Sequence, residues 1–247
     1  MHFHLPKSMH GWRTFAGEIA IVVIGVLIAL GAQQVVENRA DRVRADSAIA
    51  ALRYEVADLD FYASEIEITA PCVLSQIAAI QNKLVSGDQA LLPRYSDALT
   101  NGFVLRMPYR IWSQSVWQSV SASDVLRQME PARNLLLSDL YTQAQGRRAG
   151  VQSTRAWVDD LNALSVLAAI SDADRLRYVG VTEHLRGEVQ QSDLVAGQMR
   201  DTLAAAGLLA PKRKLQKDLS ESGTIKFCRE HGLPLAKLRP AVAANAG

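Results

Sequence analysis

Cys72, Cys228 and His231 are the first residues to test for chemistry: the chain has two cysteines and five histidines in 247 residues, and one histidine stands three positions after the second cysteine. A metal site needs three or four converging ligands. Only His184 remains to complete such a set, because His2, His4 and His10 lie in a leader ahead of the chain's most apolar stretch. The two cysteines therefore admit three readings: a disulfide, two buried thiols, or a metal site shared with His184 and His231. The disulfide is the simplest, and by closing a loop of about 155 residues it would add several kcal/mol of stability in the chain-entropy model.

Other reactive groupings are weaker. There is no G-x-S-x-G, no S-x-x-K and no phosphate-binding or dinucleotide-binding glycine loop. Asp159 and Asp160 are adjacent, so they point to different sides of a helix and read as surface. Glu183, His184 and Glu188 lack the H-E-x-x-H order that places two imidazoles on one face. No catalytic residue and no cofactor is expected. Net charge is +2, which gives no reason to expect a nucleic-acid partner. Tyr109, Trp112 and Trp117 form an aromatic cluster that either lines a pocket or, more simply, plugs the end of a helical core.

The elements that must position these residues read as all-α, since Ala, Leu, Gln, Arg, Asp and Glu dominate and glycine and proline are few. Ala45, Ile49, Leu52, Val56, Leu59, Ala63 and Ile66 repeat at 4-3 spacing, which predicts a narrow coiled-coil seam. Pro71 suits the first turn of a second helix carrying Val73, Ile77, Ile80 and Leu84, ended by Gly87. An antiparallel pair follows. Turn residues at Asp88, Pro93, Asn101, Gly102 and Pro108 then mark the least regular region. Ser123 opens a short helix to Met129, and Pro131 opens one with Leu136, Leu140 and Ala144 inward. The polar interval Gln145 to Arg155 is either a turn or a solvated length of one long helix, before Trp157, Leu161, Leu164 and Ala168 resume the seam. Tyr178, Thr182, Leu185, Val189, Ser192, Ala196, Met199, Leu203 and Ala206 form the cleanest repeat, stopped by Gly207 and Pro211. Lys212, Arg213, Lys214 and Lys217 read as solvated helix surface, with anionic lipid or an acidic partner as the alternative.

Ahead of all this stands "GEIAIVVIGVLIALGAQQVVE", Gly17 to Glu37. From Phe15 to Val36 it measures about 33 Å as a helix, enough to cross the hydrocarbon of a bilayer. Glu18, Gln33 and Gln34 fall near its ends, and Trp12 and Phe15 at the level of an aromatic belt. A cleavable signal is the second reading, with Lys7 and Arg13 as its basic region, Ile19 to Ile28 as its apolar core and Ala29-Leu30-Gly31 as its cleavage site; a buried soluble helix is the third. Glu18, Gly25, Ala29 and Ala32 share one stripe, a spacing that lets membrane helices approach closely. The lipid bilayer is the expected partner, together with a second copy of the chain or another membrane protein through that stripe. The cytoplasmic side is assigned to the N-terminus.

The leader and span, "HLPKSMHGWRTFAGEIAIVVIGVLIALGAQQVVE", resemble a family of uncharacterised bacterial membrane proteins with a Gly-Trp-Arg leader and a G-E-[IV]-x-[IV] span ending A-L-G-A-x-Q. "SQSVWQSVSASDVLRQMEPARNLLLSDLYTQ" is similar to that family's middle segment, more loosely. The resemblance implies architecture and membrane location, and no activity, substrate or cofactor.

The expected organisation is a leader (1–14), a transmembrane helix (15–36), a helical bundle (37–222) and a partly disordered tail (223–247). The expected role is contact with other proteins as a scaffold, assembly factor or partner subunit in a bacterial inner membrane, with the bundle periplasmic. The alternative is a ligand-sensing bundle that signals through a partner.

Overall fold

The computed structural model describes residues 11–87, 104–123, 125–126, 129–165 and 170–242. Lys7, His2, His4 and His10, the turn residues Asp88, Pro93, Asn101 and Gly102, Ala168, and the side chains of Trp12 and Arg13 lie outside that description, as does the final run 243–247. The helix expected from Ser123 to Met129 falls partly outside it. Among the described residues there are six α-helices and no strand: α1 (Trp12–Ser86), α2 (Ser115–Ser121), α3 (Pro131–Asn162), α4 (Asp172–Ala205), α5 (Lys212–Glu221) and α6 (Gly223–Glu230).

α1 is one helix of 75 residues, roughly 110 Å long at 1.5 Å per residue. It corrects the expected break at Pro71, which lies inside it. An interior proline removes the amide that would bond the carbonyl four residues back, here Glu67, and costs about 3 kcal/mol in an isolated helix. Two observations explain why the helix continues. Ala70, Cys72 and Val73 beside the proline are buried, so breaking the helix would expose packed surface. The carbonyl of Ile68, on the turn that the proline disturbs, accepts the Ala236 amide at 2.9 Å from outside the helix.

The second correction concerns the seam. Leu52, Val56, Leu59 and Ala63 are buried as the 4-3 spacing predicts, but so are Glu55, Ala57, Asp60, Phe61, Ser64, Glu65, Glu67 and Thr69. This part of α1 is therefore surrounded by other elements and does not lie along a neighbour. α4 is the main partner: Asp60 and Glu67 meet Arg200, while Gln81 further along α1 meets Glu183 and Arg186. All nine residues of the α4 repeat from Tyr178 to Ala206 are buried. Gly207, at φ +66°, ends that helix, with the Leu208 amide reaching back to the Leu203 carbonyl at 2.9 Å.

The interval Gln145 to Arg155 is part of α3, which runs unbroken and buries Arg147 and Thr154 within it. Two large apolar clusters make most of the core, with smaller ones around Phe61 and Leu215 and around Cys72 and Phe227. One gathers Ile77, Leu84, Leu161 and Leu185; the other gathers Leu52, Leu59, Trp112, Leu140 and Met199. Residues 223–242 pack onto this body and are not a loose tail: Ile225, Phe227 and Cys228 of α6 are buried, and the segment after it supplies Ala236 and Arg239 to α1.

Toward its N-terminus α1 leaves the bundle. Every residue from Phe15 to Arg39 is exposed, and Ala45 is the first buried one. This overturns the reading of the apolar stretch as a buried soluble helix. Its most apolar window has a mean hydropathy of 2.5 with none of it buried, so α1 carries a segment long and apolar enough to cross a membrane.

Candidate functional site

Four buried carboxylates on α1 organise the surrounding elements, and at 100° per residue they point in three directions. Glu55 faces α2 and α3. Its carboxylate accepts the backbone amides of Val116 at 3.1 Å and Trp117 at 3.2 Å, the Ser113 hydroxyl at 3.1 Å and the Tyr141 phenol at 2.7 Å. α2 has no side-chain cap of its own, so Glu55 caps it from another helix and meets the positive end of its dipole. Burial first, then the bond to Glu55, pushes the Tyr141 phenol pKa up. The Tyr141 ring stacks on Trp117, with centroids 4.8 Å apart.

Asp60 and Glu67 share the face toward α4. Arg200 Nε donates to Asp60 at 3.2 Å and Arg200 Nη1 to Glu67 at 3.0 Å, all three side chains being buried. Asp60 also accepts the Ala210 amide at 2.9 Å, which fixes the chain entering α5. Glu67 accepts Arg239 Nε at 2.7 Å, and Arg239 reaches Asp201 at 3.2 Å. That guanidinium lies against Gly197, where an added Cβ would meet Arg239 Nη2 at 2.0 Å. Glu65 faces the third way, taking a two-pronged contact from Arg110 at 2.6 and 2.8 Å and the hydroxyl of Ser222, the residue that caps α6.

These carboxylates were not singled out in the sequence, though a signal exists. From Tyr54 to Asn82 there are five acids and no Lys or Arg. So many uncompensated charges on one helix need partners from elsewhere in the chain.

The sequence-derived candidates separate. Trp112 is buried and packs edge-on to Tyr62 at 5.6 Å. Tyr109 and Trp112 line one cavity of about 30 Å³ with Arg110, Arg147, Thr154 and Ser192; Trp117 is not part of that lining. Burial pushes the Tyr109 phenol pKa up, with Asp159 adding to it and Arg155 opposing it. Cys72 and Cys228 are fully buried and joined, with Sγ–Sγ 2.04 Å and Cα–Cα 6.0 Å, tying the C-terminal part of α1 to α6. His184 stacks on Trp157 at 5.1 Å and His231 packs on Phe227 at 4.4 Å. No group of three metal-binding side chains is found among the described residues. Asp160 pairs with Arg177 at 3.3 Å, and Asp159 lies 4.0 Å from Arg155. Lys214 of the basic run bonds Asp218 at 2.8 Å and Asp58 at 3.4 Å.

On the projecting part of α1, Glu18, Gly25, Ala29 and Ala32 are all exposed, and an added Cβ at Gly25 would meet nothing within 4 Å. Compared with known proteins, the chain matches no family model, no curated protein and no solved structure.

Proposed function

We propose that Phe15 to Val36 anchors the protein in a bacterial inner membrane, and that residues 37–242 form an exported antiparallel helical bundle acting through contacts with other proteins. The observation that carries this reading is the two-part character of α1. One end is apolar and exposed on every side from Phe15 to Val36, while the other is the surrounded axis of the bundle. An apolar helix with no partner among the described residues of its own chain is stable in lipid and costly in water. The stripe of Glu18, Gly25, Ala29 and Ala32 then offers a packing face to another membrane helix, either a second copy or a partner subunit. The Cys72–Cys228 bridge suits an oxidising compartment, which supports a periplasmic bundle. The leader's resemblance to bacterial membrane proteins points to the same location.

The experiment is sidedness. Ser153 is exposed on α3, whereas both native cysteines are buried and paired, so Ser153→Cys introduces one reactive thiol. Labelling of this variant in spheroplasts by a membrane-impermeant maleimide is the expected result; labelling only after lysis refutes the periplasmic placement. A ligand-sensing bundle is the second reading, favoured by the cavity beside Trp112, which adjoins the helix that continues toward the membrane.

A further inference from the structure

Arg147 is the one described guanidinium that is buried, lines a cavity and makes neither a hydrogen bond nor an ion pair. Only 8% of the residue is exposed, and its Nε is fully buried without a partner. A buried charge in that condition is costly, and in native proteins it is normally paired. Around it the other polar groups are committed. Thr69, Thr154 and Ser192 donate their hydroxyls to backbone carbonyls of their own helices, and Arg110 is engaged by Glu65. Glu188 is the carboxylate whose charge acts on Arg147; both side chains approach the Cβ position of Gly150, but they form no ion pair. Burial lowers the Arg147 pKa and Glu188 partly opposes that.

We propose that the cavity beside Trp112 binds a small monovalent carboxylate, with Arg147 as its charge partner. About 30 Å³ holds roughly two water-sized positions, the space of a formate or acetate head group. One unpaired cation with a carboxylate nearby favours a monoanion over a dianion. The remaining wall is apolar, with Val73, Met107, Val151 and Val189 around the aromatic ring, which suits the carbon end of such an acid. Arg147 then gains the charge-assisted hydrogen bonds that no described residue supplies. The proposal concerns the folded bundle and holds whatever its anchoring.

The test is calorimetric titration of the full chain in non-ionic detergent with sodium formate and sodium acetate, ionic strength being held with sodium sulfate. The expected result is a single saturable site with a dissociation constant on the order of 1 mM, the scale open to so small a ligand. Arg147→Met is expected to weaken it at least ~10-fold, the loss of a charge-assisted contact. No saturable heat from the wild-type chain, or the same isotherm from Arg147→Met, overturns the proposal. If Arg147→Met does not fold, Glu188→Gln carries the test: removing the carboxylate that acts on Arg147 tightens binding, and unchanged affinity counts against the site.

Discussion

Replacing Glu55 by glutamine keeps the shape of the side chain and removes its charge, so the cost can be worked from the donors that face it. One carboxylate oxygen accepts Tyr141 Oη and the Trp117 amide; the other accepts Ser113 and the Val116 amide. Glutamine must turn its NH2 toward one of these sets. The hydroxyls can rotate to accept, but a backbone amide cannot, so one N–H of the first turn of α2 is left facing a donor. An unsatisfied buried donor costs about 1–3 kcal/mol, and losing a negative charge at a helix N-terminus adds about 0.3–1 kcal/mol. Glu55→Gln is therefore expected to destabilise the bundle by ~1–4 kcal/mol. Urea unfolding in detergent, followed by circular dichroism, measures the global effect. The near-ultraviolet signal of the Trp117–Tyr141 stack reports the local one, and it should weaken under native conditions. A change below about 0.5 kcal/mol, the range of ordinary surface substitutions, together with an unaltered aromatic signal, would refute the view that Glu55 holds α2 in place.

Three further outcomes follow from the geometry. Cys72→Ser with Cys228→Ser removes a cross-link spanning 156 residues of sequence, so the chain-entropy model expects a loss of about 5 kcal/mol; chemical unfolding with and without reductant should show reductant acting on the wild type alone. Gly197→Ala is expected to displace Arg239 from its site over α4 while raising local helix propensity by about 1 kcal/mol. Hydrogen exchange should then speed up in residues 233–242 with little change in global stability, and unaltered protection there would speak against Arg239 holding that segment in place. Gly25→Leu should weaken association in a membrane two-hybrid assay while Leu27→Ala does not, and equal effects would dismiss the small-residue stripe as a packing face.

Much of the helical pattern was legible in the sequence, because apolar spacing reports directly on burial where a helix has one buried face. α4 is such a helix, and its repeat named nine buried residues. α1 is not. Its middle is enclosed on several sides, so acidic residues that spacing assigns to solvent are inside, held by partners 45 to 172 residues away. Pro71 misled for a related reason. A local rule expects a helix start at proline, whereas the packing of Ala70, Cys72 and Val73 and the Ala236 amide outweigh the local penalty. α6 was hidden by its short length and by the small residues that follow it. In the candidate site, aromatic clustering found Trp112 but not Arg147, whose burial depends on α3 running unbroken through a polar interval that looks solvated when read alone.

The separation of the α1 acids from their partners also bears on how the protein is made. Asp60 waits 140 residues for Arg200, Glu65 157 for Ser222, and Glu67 172 for Arg239. At about 5–20 residues per second of synthesis, the last of these is a delay of roughly 10–35 s. Arg110 reaches Glu65 after only 45 residues, but until Arg200 is made, 133 residues after Glu67 and 140 after Asp60, those two carboxylates of the bundle axis lack the guanidinium they share. The apolar segment ahead of it has meanwhile been complete since residue 36. In the anchored protein proposed above, orientation is therefore set before the bundle closes, by a segment that has no neighbour elsewhere in the chain among the described residues.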